Sequence, residues 1–89
     1  MISVLICTYN QEKYIAQAIE SVLMQKCDEA FEVLIGDDCS TDNTGAICQE
    51  YAARYPEQVV LLDNKQNLGI MRNFANTIKH CTGELIAIC

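Results

Sequence analysis

The 89-residue sequence has no tryptophan, one proline (Pro56) and one histidine (His80). It also has no CxxC pair, so the ligand spacing of zinc sites is missing. Its six basic residues are scattered without a run among twelve acidic ones, which argues against a nucleic-acid backbone as the partner. The apolar runs are too short to span a bilayer, and no signal peptide is present. Together with reduced thiols, these absences predict a cytoplasmic protein without a membrane segment.

The composition suits one small globular domain with 51% hydrophobic residues and a net charge of −6. A chain this short buries roughly 60 to 65% of its unfolded surface, so any large active site must be incomplete or shared. We interpret Cys7, Cys48 and Cys89 as small hydrophobes of apolar segments rather than as disulfide partners. In so acidic a domain, an anionic ligand would need a divalent cation or helix N-termini to offset the repulsion.

Apolar, β-branched runs predict buried strands at 2–7, 31–36, 58–63 and 84–89. Helices are predicted between them, and the first covers about 11–26 with Asn10 as its cap. The cap candidates of the second helix are Ser40, Thr41 and Asp42. Its inner face is expected to carry Ile47, Tyr51 and Tyr55, and Pro56 is expected to end it. The expected apolar stripe of the third helix is Met71, Phe74, Ala75 and Ile78. Gly83 is expected to end that helix in a left-handed conformation.

The resulting order, βαβαβαβ, predicts an α/β fold with three layers, a Rossmann-like parallel sheet in strand order 3-2-1-4 and right-handed crossovers. Ligands bind such sheets beside the carboxyl ends of the strands, where the strand order reverses. This rule selects the residues that end or follow strands one, two and four, which are Cys7, Thr8, Tyr9, Asn10, Asp37, Asp38 and Cys89.

The adjacent acids Asp37 and Asp38 should point in different directions because side chains alternate along a strand, so joint chelation of one ion is disfavoured. One carboxylate could accept a hydrogen bond from a ligand N–H while the other holds the turn or a loop amide. Alternatively, both cap the next turn. Tyr9 could stack on a planar base or pack on the first helix. No GxGxxG and no GxxxxGK[ST] is present, so a dinucleotide fingerprint and a P-loop are not supported.

Three further residues are candidates from their positions in the sequence. Glu12 is an acid of the expected first helical turn, where the helix dipole favours it. Arg72 opens the third helix, where a positive charge is mildly unfavourable, so it either faces a ligand or lies solvated at the surface. Gly69 ends the turn Asn67-Leu68-Gly69 and is expected to supply a special backbone angle or a close approach.

Taken together, these segments resemble the N-terminal half of the catalytic domain of family 2 glycosyltransferases, which are inverting enzymes of the GT-A fold that use nucleotide-sugar donors. The matching segments span nearly the whole chain and are SVLICTYNQEKYIAQAIESVLMQ, EVLIGDDCSTDNT, NKQNLGIMRNFA and TGELIAIC. The resemblance implies a UDP- or GDP-linked donor and a role in cell-surface polysaccharide biosynthesis, with the intact enzyme possible at the inner face of the membrane.

The resemblance also implies roles for individual residues. Tyr9 would flank the nucleobase with Thr8 nearby, and Asp38 would accept a hydrogen bond from the base. The nucleoside pocket would be completed by Glu12, Asn67, Gly69 and Arg72. Asn10 is a further candidate contact, and Asp37 is expected to support the turn.

The chain departs from the family pattern in two places. Cys7 stands where many members have proline. The DxD-type motif that binds Mg²⁺ or Mn²⁺, the base carboxylate and the acceptor site are all expected beyond Cys89, so these 89 residues are expected to be inactive alone. Two alternatives stay open: a non-catalytic remnant or interaction domain of the same fold, and a receiver-like signalling module. The receiver would need an acidic pair after strand one, whereas the two acids of this chain, Asp37 and Asp38, follow strand two.

Overall fold

The computed structural model describes residues 2–24, 30–83 and 85–88, with side chains up to residue 83. Strands and helices alternate along these ranges as β1 (Ile2–Thr8), α1 (Ile15–Leu23), β2 (Phe31–Asp37), α2 (Thr44–Arg54), β3 (Val59–Asp63), α3 (Ile70–Lys79) and β4 (Leu85–Ile88). The four strands are parallel in the order β3-β2-β1-β4, which confirms the predicted α/β topology. The ends of the predicted fourth strand, residues 84 and 89, lie outside the described residues.

The strand register brings the candidate residues to one edge of the sheet. Thr8 pairs with Asp37, and Asp37 pairs in turn with Asp63. The residues that follow these three strands therefore leave the sheet side by side. Two backbone hydrogen bonds extend the ladder by one residue, because the amide of Asp38 donates to the Thr8 carbonyl at 3.0 Å and the amide of Asn64 donates to the Asp37 carbonyl at 3.0 Å.

The main core lies between one face of the sheet and the helices α1 and α2. Its buried members are Ile6, Ile15, Ile19, Val22, Val33, Ile35, Cys48, Tyr51 and Val59. Each aliphatic side chain removed from water here contributes about 1.5 to 3 kcal/mol, so this layer supplies most of the apolar driving force. Leu34 and Gly36 alternate with these residues along β2 and therefore face the opposite side of the sheet, where α3 packs.

The fully buried face of α3 is polar, so the prediction of an apolar inner face is wrong. Of the predicted stripe, Phe74 and Ile78 are half-buried at its margin. Asn73 and Thr77 are its buried residues, whereas Met71 is 78% exposed and Ala75 is also exposed. The physical reason is a close approach at Gly36. A Cβ there would lie 2.2 Å from the Thr77 hydroxyl oxygen, so the helix can sit this low only over a glycine.

The predicted helix ends also need correction. Asn10 does not cap α1, because its backbone is left-handed (φ 51°) and its side chain binds another loop; a turn follows it, and the helix begins only at Ile15. The tail of that predicted helix, residues 25 and 26, lies outside the described residues. Gly83 does not stop α3, because the helix ends at Lys79, with the C-cap at His80, three residues before that glycine.

In α2 the buried face shares only Tyr51 with the expected one. Thr44, Cys48 and Tyr51 are buried, whereas Tyr55 lies beyond the helix and is exposed. Ile47 is only half-buried at the margin of the core. The small side chains of Thr44 and Cys48 let the helix approach the sheet, and an apolar period alone does not indicate this.

Among residues 2–24, 30–83 and 85–88, every helix is too short or too polar to span a bilayer.

Candidate functional site

A crevice of about 190 Å³ opens at the carboxyl edge of the sheet, where the topology predicts a ligand site. Its lining residues come from the end of β1 and the turn after it, from the end of β2, and from the start of α3. They are Cys7, Thr8, Tyr9, Gln11, Asp38, Ile70 and Asn73. The strand-end rule selects Cys7, Thr8, Tyr9 and Asp38 from the sequence, and the structure brings these four together at one cavity.

Asp38 is 3% exposed, and its carboxylate holds the loop at 64–69 in place. Its Oδ1 accepts hydrogen bonds from the Leu68 amide at 2.7 Å and from Asn64 Nδ2 at 3.1 Å. Its Oδ2 accepts one from the Gly69 amide at 2.9 Å. A buried carboxylate needs such charge-assisted partners to offset the loss of water. Asp38 therefore belongs both to the wall of the crevice and to the support of the loop beside it.

The neighbouring carboxylate of Asp37 has a different partner, as side-chain alternation along the strand requires. Its Oδ1 accepts hydrogen bonds from the hydroxyl and the amide of Ser40, so it closes the turn that leads to α2. Its other oxygen lies beside Gly45, where an added Cβ would come within 2.9 Å of it. Of the two acids, Asp37 supports the turn and Asp38 holds the loop, so the alternative in which both cap the next turn is wrong.

The loop that Asp38 holds depends on two further predicted residues. Gly69 has φ 86° and ψ 159°, a backbone conformation that side-chain-bearing residues rarely adopt, and it lies directly before α3. Asn67 donates from Nδ2 to the Asp38 carbonyl at 3.2 Å and accepts from the Gly69 amide at 3.2 Å. The expectation of a special backbone angle at Gly69 is confirmed.

Asn10 and Glu12 lie in a second contact, between the loop after β1 and the loop before α2. Asn10 Oδ1 accepts from the amide of Thr41 at 2.7 Å, and the Asn10 amide donates to the Ser40 hydroxyl at 3.0 Å. Glu12 Oε2 accepts from the Asn43 amide at 3.3 Å. Both side chains line a shallower hollow next to the crevice rather than the crevice itself.

Tyr9 and Thr8 form the rim of the crevice on the β1 side. Tyr9 is 47% exposed as a residue, so part of its surface is open to contact with a ligand. Thr8 is buried, and its hydroxyl donates to Gln11 Oε1 at 2.9 Å. Gln11 is a lining residue that the sequence analysis missed. The signal that could have found it is its place in the same turn, two residues after Tyr9.

A polar network forms the floor of the crevice, and it was also missed. Asn73 Nδ2 donates to the Gly36 carbonyl at 2.9 Å, and its Oδ1 accepts from Asn64 Nδ2 at 2.9 Å. Asn76 Nδ2 donates to Asn64 Oδ1 at 3.4 Å. The buried side chain of Asn73 thereby joins α3, β2 and the loop that follows β3. An asparagine inside an otherwise amphipathic helix was the available signal.

Cys7 forms an apolar, uncharged part of the cavity wall. Burial raises the pKa of its thiol, and the charge of Asp38 raises it further, against the opposing effect of a hydrogen bond with Thr77. The contact from its sulfur to the Thr77 hydroxyl oxygen is 3.9 Å. A raised pKa keeps the thiol protonated at neutral pH, so Cys7 acts here as a small apolar wall residue.

Arg72 lies exposed on α3 and outside the residues that line the crevice.

Within the described ranges, no three cysteine, histidine, aspartate or glutamate side chains converge as a metal site would require. Asp37 and Asp38 in particular are committed to separate hydrogen-bond partners. These residues therefore do not fit a divalent ion.

Comparisons with known proteins give the family of this chain. Residues 3–89 match the model of glycosyl transferase family 2. The putative glycosyltransferase EpsE of Bacillus subtilis is 37% identical over 86 residues, which are 97% of this chain and 31% of that protein. The chain spans about a third or less of the length of the curated relatives that it matches, from 31% of EpsE to 9% of the Bacillus subtilis protein GgaB.

Two solved structures have the same fold. The Staphylococcus aureus protein TarS (residues 1–349), in complex with UDP, has a TM-score of 0.86 and 32% identity over 99% of this chain and 26% of that one. The mannosyltransferase PcManGT from Pyrobaculum calidifontis, in complex with GDP-Man and Mn²⁺, has a TM-score of 0.83 and 25% identity over 96% of this chain and 25% of that one.

Proposed function

The chain belongs to glycosyltransferase family 2, and from this membership we propose that its crevice binds the nucleoside part of a nucleotide-sugar donor. The observation that carries the proposal is the meeting of Tyr9 and Asp38 at one cavity, at the sheet edge where such folds bind ligands. An aromatic face offers stacking to a planar base, and a carboxylate offers an acceptor to a base N–H.

The other residues implied by the resemblance take supporting roles in this proposal. Thr8 completes the wall beside Tyr9. Asn67 and Gly69 form the loop that borders the nucleoside, and Asp37 fixes the turn behind it. The remaining members contact the ligand from the neighbouring hollow and from α3, and they are Asn10, Glu12 and Arg72. An arginine exposed at the start of α3 is free to approach a bound nucleotide.

For the whole enzyme we propose sugar transfer to an acceptor hydroxyl with inversion. A base carboxylate would take the proton of the hydroxyl, whose oxygen attacks the anomeric carbon while the nucleoside diphosphate leaves. The described residues do not fit a divalent ion, so the Mg²⁺ or Mn²⁺ expected from the family would be held by residues beyond Cys89. Turnover by the 89 residues alone is therefore not expected.

The names of related proteins support a donor class and a process. TarS was solved with UDP and PcManGT with GDP-Man, so a UDP- or GDP-linked sugar is the proposed partner. The Bacillus subtilis relative GgaB is named a minor teichoic acid biosynthesis protein, which supports a role in cell-surface polysaccharide synthesis. Synthesis from nucleotide sugars fits a cytoplasmic location, including the inner face of the membrane.

Calorimetric titration of UDP and GDP tests the proposal. We expect the wild type to bind at least one of the two nucleotides and Asp38→Ala to bind it at least about tenfold more weakly, since a charged hydrogen bond contributes about 1.5 to 3 kcal/mol. Asp63→Ala is the matched control, because it removes an exposed acid at the end of the adjacent strand. Failure of the wild type to bind either nucleotide, or equal binding by Asp38→Ala, would refute the proposed role.

A further inference from the structure

The carboxylate of Asp38 has one acceptor position left for a ligand. A carboxylate offers about four lone-pair positions, two on each oxygen. Oδ1 is filled by the Leu68 amide at 2.7 Å and by Asn64 Nδ2 at 3.1 Å. Among the residues that the structure describes, Oδ2 receives one hydrogen bond, from the Gly69 amide at 2.9 Å. With the side chain 3% exposed and lining the crevice, the unfilled position on Oδ2 is the one that a bound base can use.

The side chain of Asn64 is the donor that leaves Asp38 with one free acceptor position instead of two. Its Nδ2 donates both to Asp38 and to Asn73 Oδ1, and its own Oδ1 accepts from Asn76 Nδ2. A flipped amide would turn an oxygen toward the Asp38 carboxylate, which only accepts hydrogen bonds, so the amide orientation is fixed by its partners. Asn64 therefore keeps Oδ1 occupied whether or not a ligand is bound.

Nucleobases differ in the number of donors that they present to a carboxylate. Guanine presents N1–H and the exocyclic N2–H₂ side by side, and their natural partner is one free position on each carboxylate oxygen. Uracil and thymine present a single imide N–H. Adenine and cytosine place an unprotonated ring nitrogen beside their amino group, which a carboxylate repels. A carboxylate with one free position matches the imide and leaves one guanine donor without a partner.

On this basis we propose that the crevice selects a uracil or thymine nucleotide over a guanine nucleotide, and that Asn64 is the residue that sets this preference. The inference rests on the proposed nucleoside-binding function and narrows its donor to one base class. Asn64 acts through Asp38, so it is a positioning residue and not one that contacts the ligand. An unpaired buried donor costs about 1 to 3 kcal/mol, so GDP should bind roughly ten- to hundredfold more weakly than UDP or dTDP.

The test is calorimetric titration of UDP, dTDP and GDP in buffer with a chelator, because the shared diphosphate then contributes equally to all three. The wild type should bind UDP and dTDP about ten- to hundredfold more tightly than GDP. Asn64→Leu frees a position on Oδ1 and should narrow this ratio by about tenfold, mainly by tightening GDP. Asn76→Ala is the matched control, because it alters the same network without removing a donor from Asp38, and it should leave the ratio unchanged.

The outcomes separate the inference from the function on which it rests. Equal affinities for all three nucleotides, each weakened in Tyr9→Ala, would overturn the base preference and leave nucleoside binding standing. A wild-type ratio that Asn64→Leu does not change would overturn the role of Asn64. If circular dichroism shows that Asn64→Leu does not fold, Asn64→Ala removes the same donor with a smaller side chain. No binding of any of the three nucleotides would overturn both the inference and the proposed function.

Discussion

The buried carboxylate of Asp38 accepts a hydrogen bond from the backbone amide of Gly69, 31 residues later in the sequence, with 2.9 Å between nitrogen and oxygen. This contact fixes the left-handed residue that precedes α3 and so sets how the helix begins. The same carboxylate lines the crevice. The order of the loop and the shape of the candidate site are therefore linked through one side chain.

Replacement of Asp38 by asparagine should release this loop. The amide group keeps the shape but turns a donor toward backbone donors, so we expect the free energy of unfolding to fall by about 1 to 3 kcal/mol. Amide hydrogen exchange at Leu68 and Gly69 should accelerate more than exchange in β2. Asp63→Asn is the control, and it should leave the exchange of both amides unchanged. Unaltered protection in Asp38→Asn would contradict the described contact.

Gly36→Ala tests the close approach of α3 to the sheet. The new Cβ would lie 2.2 Å from the Thr77 hydroxyl oxygen and 2.9 Å from Asn73 Oδ1, so the helix must shift. Overpacking of this kind costs about 1 to 3 kcal/mol in the free energy of unfolding, measurable by urea denaturation. Adding Thr77→Ala removes the clashing oxygen, so the double variant should lose less stability than the sum of the two single variants. Strict additivity would show that the two residues do not meet.

Glu32 should give the protein a specific acid sensitivity. Burial acts to raise the pKa of its carboxyl, but hydrogen bonds from Ser3 and Thr82 outweigh it and hold the pKa below the ordinary 4.5. The Thr82 amide and hydroxyl donate at 2.9 and 3.0 Å. The pKa of Glu32 is lower in the folded than in the unfolded protein, so its stabilising effect is complete above the unfolded pKa. The effect is lost as the pH falls through the folded pKa.

Glu32→Gln removes this titrating group, so its effect should depend on pH. In urea denaturation between pH 7 and pH 3, we expect the wild type to be more stable at neutral pH and the difference to shrink below about pH 4.5. Gln49→Ala, which changes an exposed and uncharged side chain of α2, is the control for the effect of pH on the rest of the protein. A wild-type advantage that stays constant down to pH 3 would contradict the assigned shift.

The sheet and the place of the crevice could be predicted because both depend on local signals. Uninterrupted apolar runs such as Val33 to Ile35 mark strands buried on both faces, and alternating strands and helices leave few possible topologies. Strand alternation also correctly separated the directions of Asp37 and Asp38. Their hydrogen-bond partners, however, lie in a turn and a loop whose approach to the strand no local pattern reveals.

The polar face of α3 could not be predicted by periodicity, because its partners are distant in sequence. Asn73 is buried since the Gly36 carbonyl and the Asn64 amide satisfy its side chain, and these groups lie 37 and 9 residues away. Likewise, Asn10 suits a helix cap by residue type, yet its oxygen binds the amide of Thr41, 31 residues later. Local rules fail where a polar side chain joins two separate loops.

Nucleotide titration followed by two-dimensional ¹H–¹⁵N NMR tests the central claim, nucleoside binding at this crevice, most directly. Addition of UDP should shift the amide signals of Thr8, Tyr9 and Asp38 and of the loop at 64–69, while those of Glu32 and Thr82, in a separate hydrogen-bonded cluster, stay in place. Tyr9→Ala should reduce the affinity by roughly tenfold, as loss of one stacked base contact predicts, and Tyr55→Ala should not. Shifts centred elsewhere in the fold, or none at millimolar nucleotide, would contradict the account.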